Sequence, residues 1–191
     1  MFRIGYGWDS HEFKPGIPLM IGGVELPFEK GLAGHSDGDV LLHALTDALL
    51  GAVAAGDIGA FFPPSDPKWK GANSVLFIEE AMRHIARAGY RVGNCDTTII
   101  VAAPKIGPHS LRIQKRVAEL LKVEAECVGI KAKTPEGMGT DNAAIAHAAV
   151  LLIRNSDSNE RKMQVAEALP QPVVDVVVEK VLEDVVPEVK K

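Results

Sequence analysis

Hydrophobic and polar positions along this chain change period several times, and each change marks an element. Residues 2–8 have the look of a β-strand. Ile17 to Pro27 read as a hairpin turning at Gly22-Gly23. Val40, Leu41, Ala44, Leu45, Ala48 and Leu49 then fall at helical spacing, with Asp39 as N-cap of a helix reaching about Ala54. Gly56-Asp57-Ile58-Gly59 ends that helix, and residues 61–71, rich in Pro, Asp and Lys, read as an ordered surface loop. Ser74 is expected to cap a second helix to about Ala88, stopped by Gly89. Asn94 to Ala103 forms a buried strand around Thr97, Thr98, Ile99, Ile100 and Val101, broken by Pro104. A third helix covers roughly residues 109–122, and Val128 to Lys133 is another strand. Thr140 or Asp141 is predicted to cap a last helix to about Ile153. Strands alternating with helices predict an α+β fold, an open mixed β-sheet with helices packed mainly on one face.

The composition changes after residue 154. Residues 1–154 form one domain, and residues 155–191 begin as a linker. Val174, Val177, Val181 and Val185 then recur at helical spacing beside Asp175, Glu179 and Glu183. This extension is expected to hold a short amphipathic helix, packed on the domain or on a neighbouring subunit.

Composition narrows the function. The 191 residues are 47% hydrophobic and 24% charged, as in ordinary soluble domains. Most of the net charge of −4 lies in the extension, and residues 1–154 are nearly neutral. No broad basic face is evident, which argues against nucleic acid as a partner. Cys95 and Cys127 form no CxxC motif and read as structural thiols in a reducing compartment. The N-terminus carries no secretory or transit pattern and no apolar run reaches bilayer length, so a cytoplasmic protein with no membrane partner is expected.

The chemistry concentrates near the start. Asp9 and His11, at i and i+2, point to one face of a strand. His43 follows in the first turns of a helix. One carboxylate and two imidazoles on two elements make a three-ligand metal site with a position left for water or substrate. The donors favour zinc and leave manganese, cobalt and iron open. A hydrogen-bonded polar cluster is the competing reading of the same three residues. Asp47, four residues past His43, is a candidate hydrogen-bond partner for a ligating imidazole.

His35 to Asp39 form a polar loop at a helix start, where free amides favour anions. Asp57 and Gly59 suit sugar hydroxyls, and Lys105 follows a strand end, a frequent ligand position in open sheets. Thr134-Pro135-Glu136 follows another strand end, with Glu136 offering oxygen to Mg²⁺. His84, His109 and His147 show no partner spacing and read as structural. Two metal sites of different taste, an anion-friendly loop and a lysine together point to phosphoryl transfer.

The segments Arg3 to His11, Gly34 to Ala48, Gly56 to Gly59 and Ala103 to Lys105 closely resemble the 2-C-methyl-D-erythritol 2,4-cyclodiphosphate synthase family. The resemblance runs in order over about residues 2–154. It implies a homotrimer with active sites between subunits, acting in the non-mevalonate isoprenoid pathway. The implied reaction converts 4-diphosphocytidyl-2-C-methyl-D-erythritol 2-phosphate to the cyclic diphosphate and CMP. By the same resemblance, Asp9, His11 and His43 hold zinc and meet the diphosphate, and Glu136 holds Mg²⁺ or Mn²⁺. His35 and Thr134 position phosphate oxygens in the transition state. Ser36, Asp57 and Gly59 seat the methylerythritol moiety. Ala103, Pro104, Lys105 and Ile106, with Ala132 and Lys133, form the cytidine pocket.

Three departures from the family pattern stand out. Lys133 stands where a threonine is common, and Pro64 where an acidic residue is common. The loop from Gly137 to Asn142 is short and lacks the arginine usual in relatives. Two alternatives keep the same residues but change the outcome. A different metal-dependent phosphoesterase would release free phosphate, and a non-catalytic trimeric metal- or nucleotide-binding module would bind without turnover.

Overall fold

In this computed structural model, residues 1–155 are described. The expected extension helix therefore lies outside the described residues. Seven strands and four helices follow in chain order: β1 (Phe2–Pro15), β2 (Leu19–Ile21), β3 (Val24–Leu26), β4 (Lys30–Leu32), α1 (Val40–Ala52), α2 (Ile58–Phe61), α3 (Val75–Arg87), β5 (Tyr90–Val101), α4 (Ser110–Leu121), β6 (Val128–Lys133) and β7 (Ala143–Arg154). The main sheet has the order β4-β1-β7-β5-β6. Only β5 and β6 run parallel, joined through α4; the other neighbours are antiparallel. Strands β2 and β3 make the expected separate hairpin, with Ile21 opposite Val24. The fold is α+β, with helices covering one face of an open mixed sheet. Among the described residues no helix is long and apolar enough to cross a membrane.

The last predicted helix is wrong: residues 143–154 form β7, a central strand. The alanines suggested a helix, since alanine is the best helix former. Burial alternates instead, with Ala144, Ala146, Ala148, Val150 and Leu152 inward on the helix-covered face. Small residues are needed there because α1 lies close against β1 and β7. A Cβ added at Gly7 would fall 2.0 Å from the Ala44 carbonyl oxygen, and one at Gly5 would fall 1.8 Å from that of Ala48. Pairing overrode propensity, because β7 supplies the hydrogen-bonding partners for both β1 and β5. Two strands also exceed their expected length. β1 runs on through Asp9 and His11 to Pro15, and β5 begins at Tyr90. A register irregularity between Val92 and Asn94 lets Val92 and Cys95 both face the core.

Asp39 caps α1 as expected, accepting Leu42 N–H at 3.0 Å. Its carboxylate also accepts Gly22 N–H at 2.9 Å and Gly23 N–H at 2.6 Å. One fully buried carboxylate thus ties the hairpin turn to the start of the helix that carries His43. Cys95 is a buried thiol, as read from sequence. Burial, then the nearby Asp96 and Cys127, push its pKa up to about 12, so it stays protonated. Among the described residues nothing covers the opposite face of β1. Phe2, Ile4, Tyr6 and Trp8 are 50–68% exposed there.

Candidate active site

Strand periodicity aims Asp9 and His11 at the helix-covered face, in line with Gly5, Gly7 and Phe13. His43, in the first turn of α1, comes down onto them. Its Nδ1 lies 2.9 Å from Asp9 Oδ2, His11 Nδ1 lies 3.1 Å from the same oxygen, and the two rings stand 4.9 Å apart. One donor atom from each residue falls within 4.8 Å of the others, so this group could bind a metal ion. His11 Nδ1 is buried and makes no well-directed hydrogen bond despite the carboxylate beside it. A buried nitrogen aimed at a carboxylate without bonding it suits a shared cation better than a closed polar cluster. Burial pushes the Asp9 pKa up, but its contacts with His11 and His43 and their charges outweigh this and hold it at about 2. The carboxylate is therefore ionised and ready to ligate at any ordinary pH.

The other nitrogen of His43 is satisfied differently than expected. Asp47 does not serve it, because the Asp47 carboxylate accepts Ile58 N–H at 2.8 Å. It is a tie between α1 and α2. Burial raises its pKa above the ordinary 3.8, opposed by that N–H and reinforced by the charges of Asp57 and Asp9. His43 Nε2 instead lies 2.9 Å from both Ser36 Oγ and Ser74 Oγ. Ser36 was among the expected site residues. Ser74 was expected only to cap α3, and its side chain makes no cap bond. Asp37 was also missed; it accepts hydrogen bonds from the Ser74 hydroxyl and the Ser74 N–H. No spacing rule could have found residues 74 and 37 beside His43.

His35 lies in the same loop. Its carbonyl accepts Gly71 N–H at 2.7 Å, and Asp37 N–H reaches Ala72 O at 2.9 Å. The 61–71 loop is thereby held against residues 35–37. Asp57 caps α2 by accepting Ala60 N–H at 3.0 Å, and it and Gly59 are exposed.

The remaining expected residues line a second feature. A cavity of about 490 Å³ opens beyond the ends of β5 and β6, lined by Pro104, Lys105, Ile106, Ala132, Lys133, Thr134 and Glu136. Its size suits a nucleotide-sized ligand. Ala103 lies outside the lining, while Val101, Ala102, Gly107 and Pro108 were missed. They are the chain neighbours of the expected segment, and strand-end position was the signal available. At its rim the Thr134 hydroxyl donates to Glu136 Oε1. Glu136 holds a left-handed backbone at φ 49°.

Sheet register relates the two features. His11 pairs with Ala144, and Ala144 with Val101, which lines the cavity. The backbone of His11 and that of Val101 therefore lie at one level of the sheet, two strand spacings or roughly 10 Å apart. Among the described residues no hydrogen bond or ion pair joins the metal-type group directly to the cavity lining.

The chain is similar to known proteins along nearly all of its described length. A family model described as "YgbB family" matches residues 2–153. The 2-C-methyl-D-erythritol 2,4-cyclodiphosphate synthase of Koribacter versatilis is 72% identical over 152 residues, 80% of this chain and 98% of that protein. The chloroplastic synthase of Arabidopsis thaliana is 49% identical over 156 residues, 80% of this chain and 68% of that one. A solved structure of a 2C-methyl-D-erythritol-2,4-cyclodiphosphate synthase, described as its CDP-bound form, superposes with TM-score 0.75 at 40% identity. It covers 79% of this chain and 100% of that chain. With the match spanning nearly every described residue, the chain belongs to the YgbB family, whose relatives here bear the synthase name that its motifs resemble.

Proposed function

We propose that this protein is a 2-C-methyl-D-erythritol 2,4-cyclodiphosphate synthase. It is an enzyme that closes 4-diphosphocytidyl-2-C-methyl-D-erythritol 2-phosphate into the cyclic diphosphate with release of CMP. The observation that carries this reading is that one chain holds both a three-donor metal group and a nucleotide-sized cavity. In the reaction an oxygen of the substrate's 2-phosphate bonds to its β-phosphorus, and the bond from that phosphorus to the bridging oxygen breaks. CMP carries that oxygen away. No water is consumed, which makes the step a phosphorus–oxygen lyase reaction.

The chain's own residues bind and orient. Asp9, His11 and His43 would hold a divalent cation, zinc by donor type. Glu136 would hold Mg²⁺ or Mn²⁺ together with substrate oxygens. Bound there, the cations supply neutralisation of charge on the phosphates. Lys105, Lys133 and the backbone around residues 103–106 and 132 would seat the cytidine half. His35 and Thr134 would place phosphate oxygens, and Ser36, Asp57 and Gly59 the methylerythritol half. No protein nucleophile is required, so positioning and charge supply the rate.

The reading extends to a homotrimer with active sites between subunits. The exposed apolar row Phe2, Ile4, Tyr6 and Trp8 supports it, because such a row normally meets a partner surface. The test is to supply the substrate with Mg²⁺, with and without zinc, and follow products by ³¹P NMR. CMP and cyclic diphosphate in equal amounts, lost in His43→Ala, are expected. Free phosphate would indicate the phosphoesterase instead, and intact substrate on metal-loaded protein a binding module.

A further inference from the structure

His43 has two ring nitrogens, and only one can serve a metal. Nδ1 faces Asp9 Oδ2 at 2.9 Å, and Nε2 faces Ser74 Oγ at the same distance. Ser74 is fully buried. It sits where α3 needs a cap, yet its side chain makes no cap bond, and Asn73 Oδ1 accepts Val75 N–H at 2.9 Å instead. The Ser74 hydroxyl turns inward and donates to Asp37 Oδ1. The second oxygen of Asp37 accepts the Ser74 backbone N–H at 3.1 Å, and Asp39 N–H reaches Oδ1 at 3.3 Å. Asp37 is thus gripped on both oxygens and holds Ser74 in one orientation.

A serine hydroxyl has a single hydrogen. With that hydrogen on the Asp37 carboxylate, Ser74 Oγ can meet His43 Nε2 only as an acceptor. Nε2 must then carry the proton. When Nε2 donates to Ser74, the lone pair that remains for a cation is on Nδ1, the nitrogen facing Asp9 and His11. Ser36 Oγ, also 2.9 Å from Nε2, can share the same N–H as a second acceptor.

We propose that Asp37 and Ser74 are positioning residues that fix the protonation side and ring orientation of His43, presenting Nδ1 as the metal ligand. This rests on the metal-site reading above. Partners that orient a ligating histidine commonly matter tenfold to a hundredfold for metal affinity.

The test uses the full chain, stripped with a chelator and titrated with zinc against a chromophoric competitor. Ser74→Ala is expected to weaken zinc binding about 10–100-fold, and Asp37→Asn about tenfold. Melting of the metal-free variants shows how much stability each change removes. The spectroscopic signature is the imidazole ¹H–¹⁵N spectrum of the zinc-loaded wild type. His43 is expected to ligate through Nδ1, with an Nε2–H resonance protected from exchange and made labile by Ser74→Ala. The wild-type spectrum decides even where a variant fails to fold. Zinc affinities of both variants within twofold of wild type, or ligation of His43 through Nε2, would overturn the inference. Wild type taking up no zinc is a separate result, which sinks the metal-site reading and this inference with it.

Discussion

Gly7→Ala adds one methyl group where α1 touches β1, and its expected effect reaches the metal group. The new Cβ would lie 2.0 Å from the Ala44 carbonyl oxygen and 2.7 Å from the Ala48 nitrogen. Ordinary contact begins near 3.4 Å, so strand and helix must part by about 1.4 Å along the first of these lines. Both neighbours are helix backbone, which cannot swing aside as a side chain can. Overpacking of this kind costs about 1–3 kcal/mol, and a backbone clash belongs at the upper end. For a domain of this size, about 3 kcal/mol lowers Tm by roughly 6–12 °C. His43 precedes Ala44 in α1, so the same movement carries its imidazole away from Asp9 and His11. Metal sites tolerate about 0.2 Å in ligand distance. Zinc affinity should therefore fall at least tenfold. Thermal melting of metal-free protein, paired with zinc titration, measures both effects. Gly51→Ala is the control, since its Cβ would meet nothing within 4 Å on the same helix. It should be neutral or stabilise by up to about 1 kcal/mol. A Gly7→Ala protein that melts within 2 °C of wild type and binds zinc equally well would refute the packing account of how His43 is placed.

Other perturbations have equally definite outcomes. Asp39→Ala removes a helix cap and leaves two buried hairpin N–H groups without their acceptor, a loss of about 3–5 kcal/mol by urea unfolding. Asp39→Asn, which keeps one acceptor oxygen, should lose less; an Asn variant as unstable as the Ala variant would refute the share assigned to that retained acceptor. Asp9 is held at about 2 in the folded metal-free chain against an ordinary 3.8. A depressed carboxyl stabilises the fold above its unfolded pKa, and that stability disappears as pH falls from about 4 through about 2. Its full value is about 2 kcal/mol. Acid titration of wild type and Asp9→Asn should diverge above pH 4 and converge near pH 2, and parallel curves would count against the Asp9–histidine contacts. Ile4→Glu places a charge in the exposed apolar row. Analytical ultracentrifugation should show a trimer for wild type and smaller species for the variant; an intact variant trimer would place the interface elsewhere.

Much of the site was legible because its residues are close in sequence or sit at regular spacing. Asp9 and His11 share a strand face by period alone, and Asp39 announces the helix that delivers His43. Lys105 and Thr134 follow strand ends, where the cavity does open. The errors fall where long-range pairing overrides a local signal. Ala143 to Arg154 carries strong helix formers, but two neighbouring strands needed its backbone, and an approaching helix required small side chains. Ser74 is a good helix cap in any local reading, yet its hydroxyl turns to Asp37 and faces His43. Asp47 stands one turn past His43 and still bonds elsewhere, because Ile58 N–H needed an acceptor.

The sequence by itself determined the donor set, the hairpin, the first helix and the motifs that carry the family resemblance. Each depends on contacts within a few residues or on a repeating spacing. Only the tertiary structure decided the order of strands, the central place of β7 and the partner behind His43. These depend on backbone groups and side chains tens of residues apart, whose pairing is set by burial and hydrogen-bond demand rather than by any local period.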